Sequence, residues 1–369
     1  MKIWFNRHKE TVCRAIAVLL CMSLCVVTAE QSAVLFAPFL SSAARLSVML
    51  SFGTGEVAEA QEGEVFTEWV EAEPSAVESE WESEPEESAE SSQEESSTLE
   101  KPENAGTVKR QTYKGGSGDA YISLKSGYIK NSTGLSASEV KQIVKEAPAF
   151  RILADGTPEV LIMHSHATES YQPGIYDWYD KSAATRNTDE TKNMCRVGEE
   201  IAKQQTEAGI GVIHDTTLHD YPQYNGSYER SAVTVKAYLK KYPTIKVVLD
   251  VHRDAIQPDD NTVIAPATTI DGKSCAQVMI ISGADNGKLN MPKYKENLKF
   301  AAALQAQMEG DYPTLTRPVM FAYRKYNQDL TTGSLLLEMG SHGNSLDEAI
   351  YCGELVGKSL AKTLLALKS

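Results

Sequence analysis

The stretch Val160-Leu-Ile-Met-His-Ser-His-Ala-Thr-Glu-Ser170 decides the fold that the sequence predicts. Its first four residues form a short apolar run soon after Pro158, which is typical of a buried strand. The polar residues that follow mark the carboxyl end of that strand. In open α/β sheets, functional groups collect just beyond such strand ends. The stretch therefore predicts a central strand and an edge at which chemistry takes place.

Strands and helices alternate downstream of this stretch. Gly209 is a natural end for the first helix, and upstream Ser136 and Glu139 form a capping box that starts another. This alternation predicts the α/β class, with a mostly parallel sheet that carries helices on both faces. Further strands are predicted at 210–214, 245–251, 277–282 and 334–339, with helices at 192–208, 231–241, 293–308 and 346–367.

Composition divides the chain into four parts. Residues 1–53 combine a basic flank with two apolar stretches, which predicts an export segment retained as a membrane anchor, although its cleavage is left open. Residues 54–106 are rich in Glu and Ser and have little to bury, so we expect a disordered acidic linker. Residues 107–156 begin the extracytoplasmic region, and residues 157–369 form the predicted catalytic domain.

Composition also excludes two kinds of function. The formal net charge of −14 is concentrated in residues 51–100, which contain 17 glutamates and no Lys, Arg or Asp. No basic patch stands out elsewhere, so nucleic acid is not an expected partner. The domain cysteines form no C-x-x-C pair, which argues against a cysteine zinc site and favours buried thiols. These cysteines are Cys195, Cys275 and Cys352.

Three predicted strand ends offer His and Glu side chains to one edge of the sheet. The first strand is followed by His164 and Glu169, the third ends near His252, and the fifth carries Glu338. A catalytic zinc takes three N or O ligands from the protein and leaves one position for water. We therefore expect His164, Glu169 and His252 to bind Zn²⁺. Glu338 lies in an apolar run, where a carboxylate is costly without a role, and we expect it to act as general base and acid.

Neighbouring polar residues have alternative roles. Glu190 opens the helix after the first strand and is the alternative to Glu169 as the third ligand. His166 comes two residues after the first predicted ligand, and we expect it to support a ligand or to contact substrate. Arg253 is expected to have the same kind of role, and a structural ion pair between Arg253 and Asp254 is an equal alternative.

These residues lie in segments that resemble the stage II sporulation protein P family of endospore-forming bacteria. That family is similar in fold to zinc-dependent N-acetylmuramoyl-L-alanine amidases. The resemblance implies that His164 and His252 are the metal-binding histidines, and that Glu169 and Glu338 are the acidic residues of the site. The matching segments are Val160–Tyr171, Arg196–Glu200, Gly209–Thr217, Tyr224–Ser231, Val251–Ala255 and Gly333–Gly340.

The same resemblance implies a function. Members of the family cleave peptidoglycan between muramic acid and the stem peptide, look able to cut peptide cross-links, and work in forespore engulfment. The expected cofactor is Zn²⁺, and the expected partners are peptidoglycan and stage II sporulation proteins D and M. The expected location is the mother-cell membrane, crossed once, with the catalytic domain in the intermembrane space. The alternative is a catalytically inactive cell-wall-binding module that recruits other enzymes.

Overall fold

Twelve strands and five helices make up residues 99–369, the part of the chain that the computed structural model describes. The strands are β1 (Ala105–Gln111), β2 (Tyr121–Ser123), β3 (Tyr128–Ser132), β4 (Pro158–Met163), β5 (Trp178–Asp180), β6 (Gly211–His214), β7 (Val247–Asp254), β8 (Thr262–Ile270), β9 (Lys273–Ala276), β10 (Val278–Gly283), β11 (Val319–Ala322) and β12 (Gly333–Ser341). The helices are α1 (Ala137–Ile143), α2 (Met194–Glu207), α3 (Ser227–Lys241), α4 (Tyr294–Asp311) and α5 (Leu346–Leu365).

Eight strands form the central sheet, in the order β2-β3-β11-β10-β12-β7-β4-β6. Five of its seven neighbouring pairs are parallel, while β2 with β3 and β10 with β12 run antiparallel. The predicted α/β class and the mostly parallel sheet are therefore confirmed. The other four strands form a second sheet in the order β5-β1-β8-β9, which the sequence analysis did not predict.

Side-chain alternation along the strands divides the central sheet into two faces. One face presents residues such as Ile162 and Leu249 to α2, α4 and α5, and this contact contains most of the buried apolar side chains. The opposite face presents Met163 and Val248 to Val235 of α3. Each such buried aliphatic side chain contributes about 1.5–3 kcal/mol to stability. Helices cover both faces, as predicted, and the predicted buried thiols are also confirmed for Cys195, Cys275 and Cys352.

Local signals in the sequence determine where several helices begin and end. The capping box of Ser136 and Glu139 is present at the start of α1. Gly209, with φ of 78°, follows the end of α2 in the left-handed conformation that glycine adopts without strain. Helix α3 begins at Ser227, four residues before the predicted start, directly after Gly226. The predicted helix positions are thus correct, and their boundaries move by a few residues.

The predicted anchor at residues 1–53 lies outside the described residues, as does most of the predicted linker at 54–106. Strand β1 begins at Ala105, so the last two residues of the predicted linker, 105 and 106, belong to this strand. Residues 107–156 contribute strands to both sheets. Between residues 99 and 369, no helix has the length and apolar character needed to cross a membrane.

Candidate metal centre

Three buried side chains, His166, Glu169 and His252, meet at one edge of the sheet, the first two just after β4 and the third near the carboxyl end of β7. One ligand atom from each of them lies within 4.8 Å of the other two. The Nδ1 atoms of His166 and His252 are each 3.6 Å from Glu169, the first from Oε1 and the second from Oε2. Two imidazole nitrogens and a carboxylate oxygen are a donor set that zinc accepts. The three groups therefore fit a divalent metal ion.

His252 is oriented by a carboxylate on its own strand. Because Asp250 precedes His252 by two residues on β7, both side chains lie on the same face of the sheet. The Nε2 atom of His252 is 2.7 Å from Asp250 Oδ1 and 2.8 Å from Ser165 Oγ. Metal-binding histidines commonly donate their second nitrogen to a carboxylate, which fixes the tautomer. Asp250 and Ser165 were not among the predicted site residues, although the spacing of two between Asp250 and His252 was a usable signal.

The charges around His252 favour positive charge at this position. Burial lowers the pKa of His252, but the Asp250 carboxylate and the carboxylates of Glu169 and Glu338 raise it to about 10. An imidazole surrounded by carboxylates binds a cation, either a proton or a metal ion, at the nitrogen that is not already hydrogen-bonded. The electrostatics therefore agree with the donor set.

Glu169 is held in place as an ionised carboxylate. Its Oε2 atom accepts a hydrogen bond from the Arg253 backbone N–H at 3.1 Å, and Oε1 is 3.9 Å from Arg186 Nη2. Burial raises the pKa of Glu169, but the hydrogen bond with His166 and the charges of His252 and Arg253 bring it well below its usual range. The carboxylate is therefore ionised and available to a cation.

Glu338 lies beside the cluster on the neighbouring strand. It pairs in register with His252 across β12 and β7, so the two side chains project from the same face. Among the described residues, the buried Oε2 atom of Glu338 has no hydrogen-bond partner. Burial raises the pKa of Glu338 well above its usual value, and the carboxylate of Asp254 raises it further. A carboxyl group in this position is suited to taking up and releasing a proton.

His164, the first predicted ligand, lies on the opposite face of the sheet against α2. Its Nδ1 atom is 2.8 Å from the Val251 carbonyl oxygen, and its Nε2 atom is 2.9 Å from His214 Nε2. Gly198 leaves room for this ring, because a Cβ atom there would lie 2.6 Å from His164 Nε2. Burial lowers the pKa of His164 to about 3. Both ring nitrogens are thus occupied within the protein core.

The geometry brings two of the three predicted ligands together and places the third apart from them. Glu169 and His252 come together with His166, whereas His164 faces away from them. Strand β4 ends one residue before His164, and a turn at 165–168 then carries His166 to the other side. Glu190 is exposed in a turn before α2 and is not part of the cluster, so position favours Glu169 as the acidic ligand.

Arg253 holds the loop that follows β4. Its Nε atom donates to the Ser170 carbonyl at 2.5 Å, and Nη2 donates to the Thr185 carbonyl at 2.7 Å. The carboxylate of Asp254 pairs with Arg317 at 2.8 Å, so the alternative of an ion pair between Arg253 and Asp254 is wrong. The guanidinium of Arg253 instead fixes the backbone at Ser170, directly after Glu169, and at Thr185.

Comparison with known proteins gives a match over most of the chain. The family model described as stage II sporulation protein P matches residues 42–361. Stage II sporulation protein P of Bacillus subtilis (strain 168) is 32% identical over 200 residues, which are 51% of this chain and 47% of that protein. The chain therefore spans about half the length of the curated relative that it matches.

Solved structures of N-acetylmuramoyl-L-alanine amidases are similar to part of the fold. AmiC2 of Nostoc punctiforme has a TM-score of 0.35 at 11% identity and covers 57% of this chain and 97% of its own. The CwlD amidase from Clostridioides difficile, in complex with the GerS lipoprotein, has a TM-score of 0.35 at 10% identity, with 57% and 98% covered. The catalytic domain of CwlV from Bacillus (Paenibacillus) polymyxa var. colistinus has a TM-score of 0.33 at 14% identity, with 57% and 99% covered.

Proposed function

The chain belongs to the stage II sporulation protein P family, and from this premise we propose that it is a metal-dependent peptidoglycan hydrolase. The observation that carries the proposal is the buried His166, Glu169 and His252 cluster with Glu338 beside it. Zinc is the proposed metal, and those three residues would hold it through two nitrogens and one oxygen. When bound there, zinc would polarise the scissile carbonyl and lower the pKa of a water molecule.

Glu338 is the proposed proton carrier. Its buried Oε2 atom takes a proton from the attacking water while the oxygen of that water bonds to the carbonyl carbon. Because burial raises its pKa, the protonated carboxyl then delivers the same proton to the leaving nitrogen as the C–N bond breaks. The products are a carboxylic acid and an amine. Asp250 keeps His252 in the orientation that this arrangement requires.

The proposed scissile bond is the amide between N-acetylmuramic acid and L-alanine. Peptide cross-links are a second proposed substrate, since they are also amides and the same proton transfers would cleave them. These assignments, the role in forespore engulfment, the partners stage II sporulation proteins D and M, and the membrane location follow from the family and stay proposals.

The proposal is tested by cleavage of purified peptidoglycan with the full-length protein. We expect release of new amino groups that ceases when a chelator is added. Replacement Glu338→Gln is expected to lower the rate by at least about 100-fold, the usual contribution of a positioned acid–base group, while the metal content is unchanged. Glu200→Gln is the matched control, because Glu200 is a buried acid on α2 that hydrogen-bonds Gln204.

Two outcomes would contradict the hydrolase proposal. Cleavage that a chelator leaves intact would remove the metal from the reaction. Binding of the protein to peptidoglycan without any cleavage would favour the alternative of a wall-binding module that recruits other enzymes.

A further inference from the structure

Two tyrosines extend the candidate metal centre outward as a stack of rings. The Tyr228 ring lies nearly parallel to the His252 ring, with 6.3 Å between centroids and 7° between planes. Tyr326 stacks on Tyr228 at 5.3 Å and 26°. His252 is buried, whereas both tyrosines are half-buried. The stack therefore runs from a proposed metal ligand towards the surface.

The segment that carries Tyr326 is held in an unfavourable backbone conformation. Tyr326 and Asn327 have φ values of 43° and 55°, in the left-handed region that residues other than glycine rarely adopt. The side-chain Nδ2 of Asn327 donates to the Tyr228 carbonyl oxygen at 2.8 Å and to Ser231 Oγ at 3.1 Å. Left-handed residues persist where the surroundings determine them strongly, and they concentrate at ligand-contacting sites. The loop is thus fastened to the first turns of α3, and the ring stack is a built feature.

A second ring contact beside the cluster is charged. The Arg186 guanidinium lies 4.5 Å from the centroid of the Tyr224 ring, and Tyr224 stacks on His166 at 4.6 Å. Arg186 also pairs with Asp220 at 2.6 Å. Tyr228 also contacts His166, with its ring edge to face at 5.3 Å. The two ring contacts therefore meet at the cluster and differ in what lies beyond it, which is Arg186 beyond Tyr224 and Tyr326 beyond Tyr228.

We propose that the Tyr228–Tyr326 stack is a subsite for a neutral sugar ring of the substrate, an N-acetylhexosamine residue adjoining the scissile amide. This inference rests on the proposed function. A hexosamine presents C–H groups on its faces and hydroxyl groups at its edge, and a tyrosine presents an apolar ring with a polar tip. The stem peptide carries ionised groups, which suit the side next to Arg186. The two halves of the substrate thus match the two chemically different groups that lie beyond the rings, Tyr326 and Arg186.

The test is a calorimetric titration of zinc-loaded, full-length Glu338→Gln protein with a soluble disaccharide–peptide fragment of peptidoglycan. Adding Tyr326→Leu is expected to weaken binding about five- to tenfold, the size of a lost aromatic contact. Tyr351→Leu is the matched control, because that half-buried tyrosine lies on α5 beneath Lys273. The affinity of this control variant for the fragment should stay within about twofold of that of the Glu338→Gln protein. Binding of the peptide without sugar is expected to be the same with and without Tyr326→Leu.

Three results would overturn the subsite. In the first, adding Tyr326→Leu leaves the affinity for the fragment within twofold of that of the Glu338→Gln protein. In the second, Tyr326→Leu weakens binding of the sugar-free peptide as much as binding of the fragment. In the third, the Glu338→Gln protein itself does not bind the fragment. Metal content and melting temperature, measured for each variant, show that the variant is folded. The cleavage assay tests the proposed hydrolase separately from the subsite. If the wild-type protein cleaves peptidoglycan and Tyr326→Leu still binds the fragment normally, the subsite alone is refuted.

Discussion

The hydrogen bond between Asp250 and His252 allows a direct test of the proposed metal centre. The replacement Asp250→Asn keeps the size of the side chain but removes the charge that accepts from His252 Nε2 at 2.7 Å. It also alters the two hydrogen bonds, both 2.8 Å long, that the carboxylate accepts from the Ser165 N–H and hydroxyl. Changing such a supporting carboxylate lowers metal affinity about 10–100-fold. We therefore expect zinc binding to weaken by about 1.4–2.7 kcal/mol.

The measurement is a competition titration against a chromophoric zinc chelator at fixed pH and salt. Asp215→Asn is the matched control, since Asp215 is a buried aspartate that accepts from Tyr238 at 3.0 Å and lies outside the cluster. Circular dichroism melting confirms that both variants are folded. Zinc affinity of Asp250→Asn within twofold of the wild type would show that the Asp250 carboxylate does not orient His252 for metal binding.

Three further predictions concern stability. Gly198→Ala should lower the free energy of unfolding in urea by about 1–3 kcal/mol, because the new Cβ would lie 2.6 Å from His164 Nε2. Gly310→Ala is the control and should not destabilise the fold, since the nearest atom to a Cβ there is 3.5 Å away. Equal stabilities of the two variants would contradict the packing of His164 against α2. His164 should lower the free energy of unfolding as pH drops below about 6.5, because the unfolded residue takes up a proton that the folded residue, with a pKa of about 3, does not. Over this range the change of stability with pH should be about 1.4 kcal/mol per pH unit steeper in the wild type than in His164→Asn, and equal slopes would contradict the burial of His164. Zinc at 100 times its Kd should raise the free energy of unfolding by about 2.7 kcal/mol, and a stabilisation that survives His252→Ala would place the metal elsewhere.

Much of the central sheet can be predicted because its strands carry their own signal. Buried parallel strands such as β4 and β7 are continuous apolar runs, and the polar residues after them mark the functional edge. The same logic placed Glu169 and Glu338 at this edge, and their positions beside His252 agree with it. The sequence therefore predicts which strand ends lie together at one edge of the sheet.

The choice between His164 and His166 depends on where one strand stops. Side chains alternate with a period of two, so both histidines would share a face if β4 continued. The strand ends at Met163, and the turn that follows separates the two rings. Strand boundaries vary by a residue or more in sequence-based reasoning, and here a single residue decides which histidine faces Glu169.

The second sheet escapes prediction for a different reason. Strand β1 pairs with β8 over residues 107–111 and 262–266, so its stability comes from a distant partner. Its sequence, Ala-Gly-Thr-Val-Lys-Arg-Gln, has no long apolar run, and only Val108 joins the small buried cluster with Tyr179, Val263 and Ala265. Strand propensity is strongly dependent on such pairing partners, and the local pattern does not report them.

The identity of the metal ligands is tested most directly by anomalous X-ray scattering. Crystals of the zinc-loaded protein would be measured on both sides of the zinc absorption edge. We expect one anomalous peak about 2.0–2.2 Å from a nitrogen of His166, a nitrogen of His252 and an oxygen of Glu169. A peak beside His164 and His214 on the α2 face, or no peak among the three proposed ligands, would contradict the account.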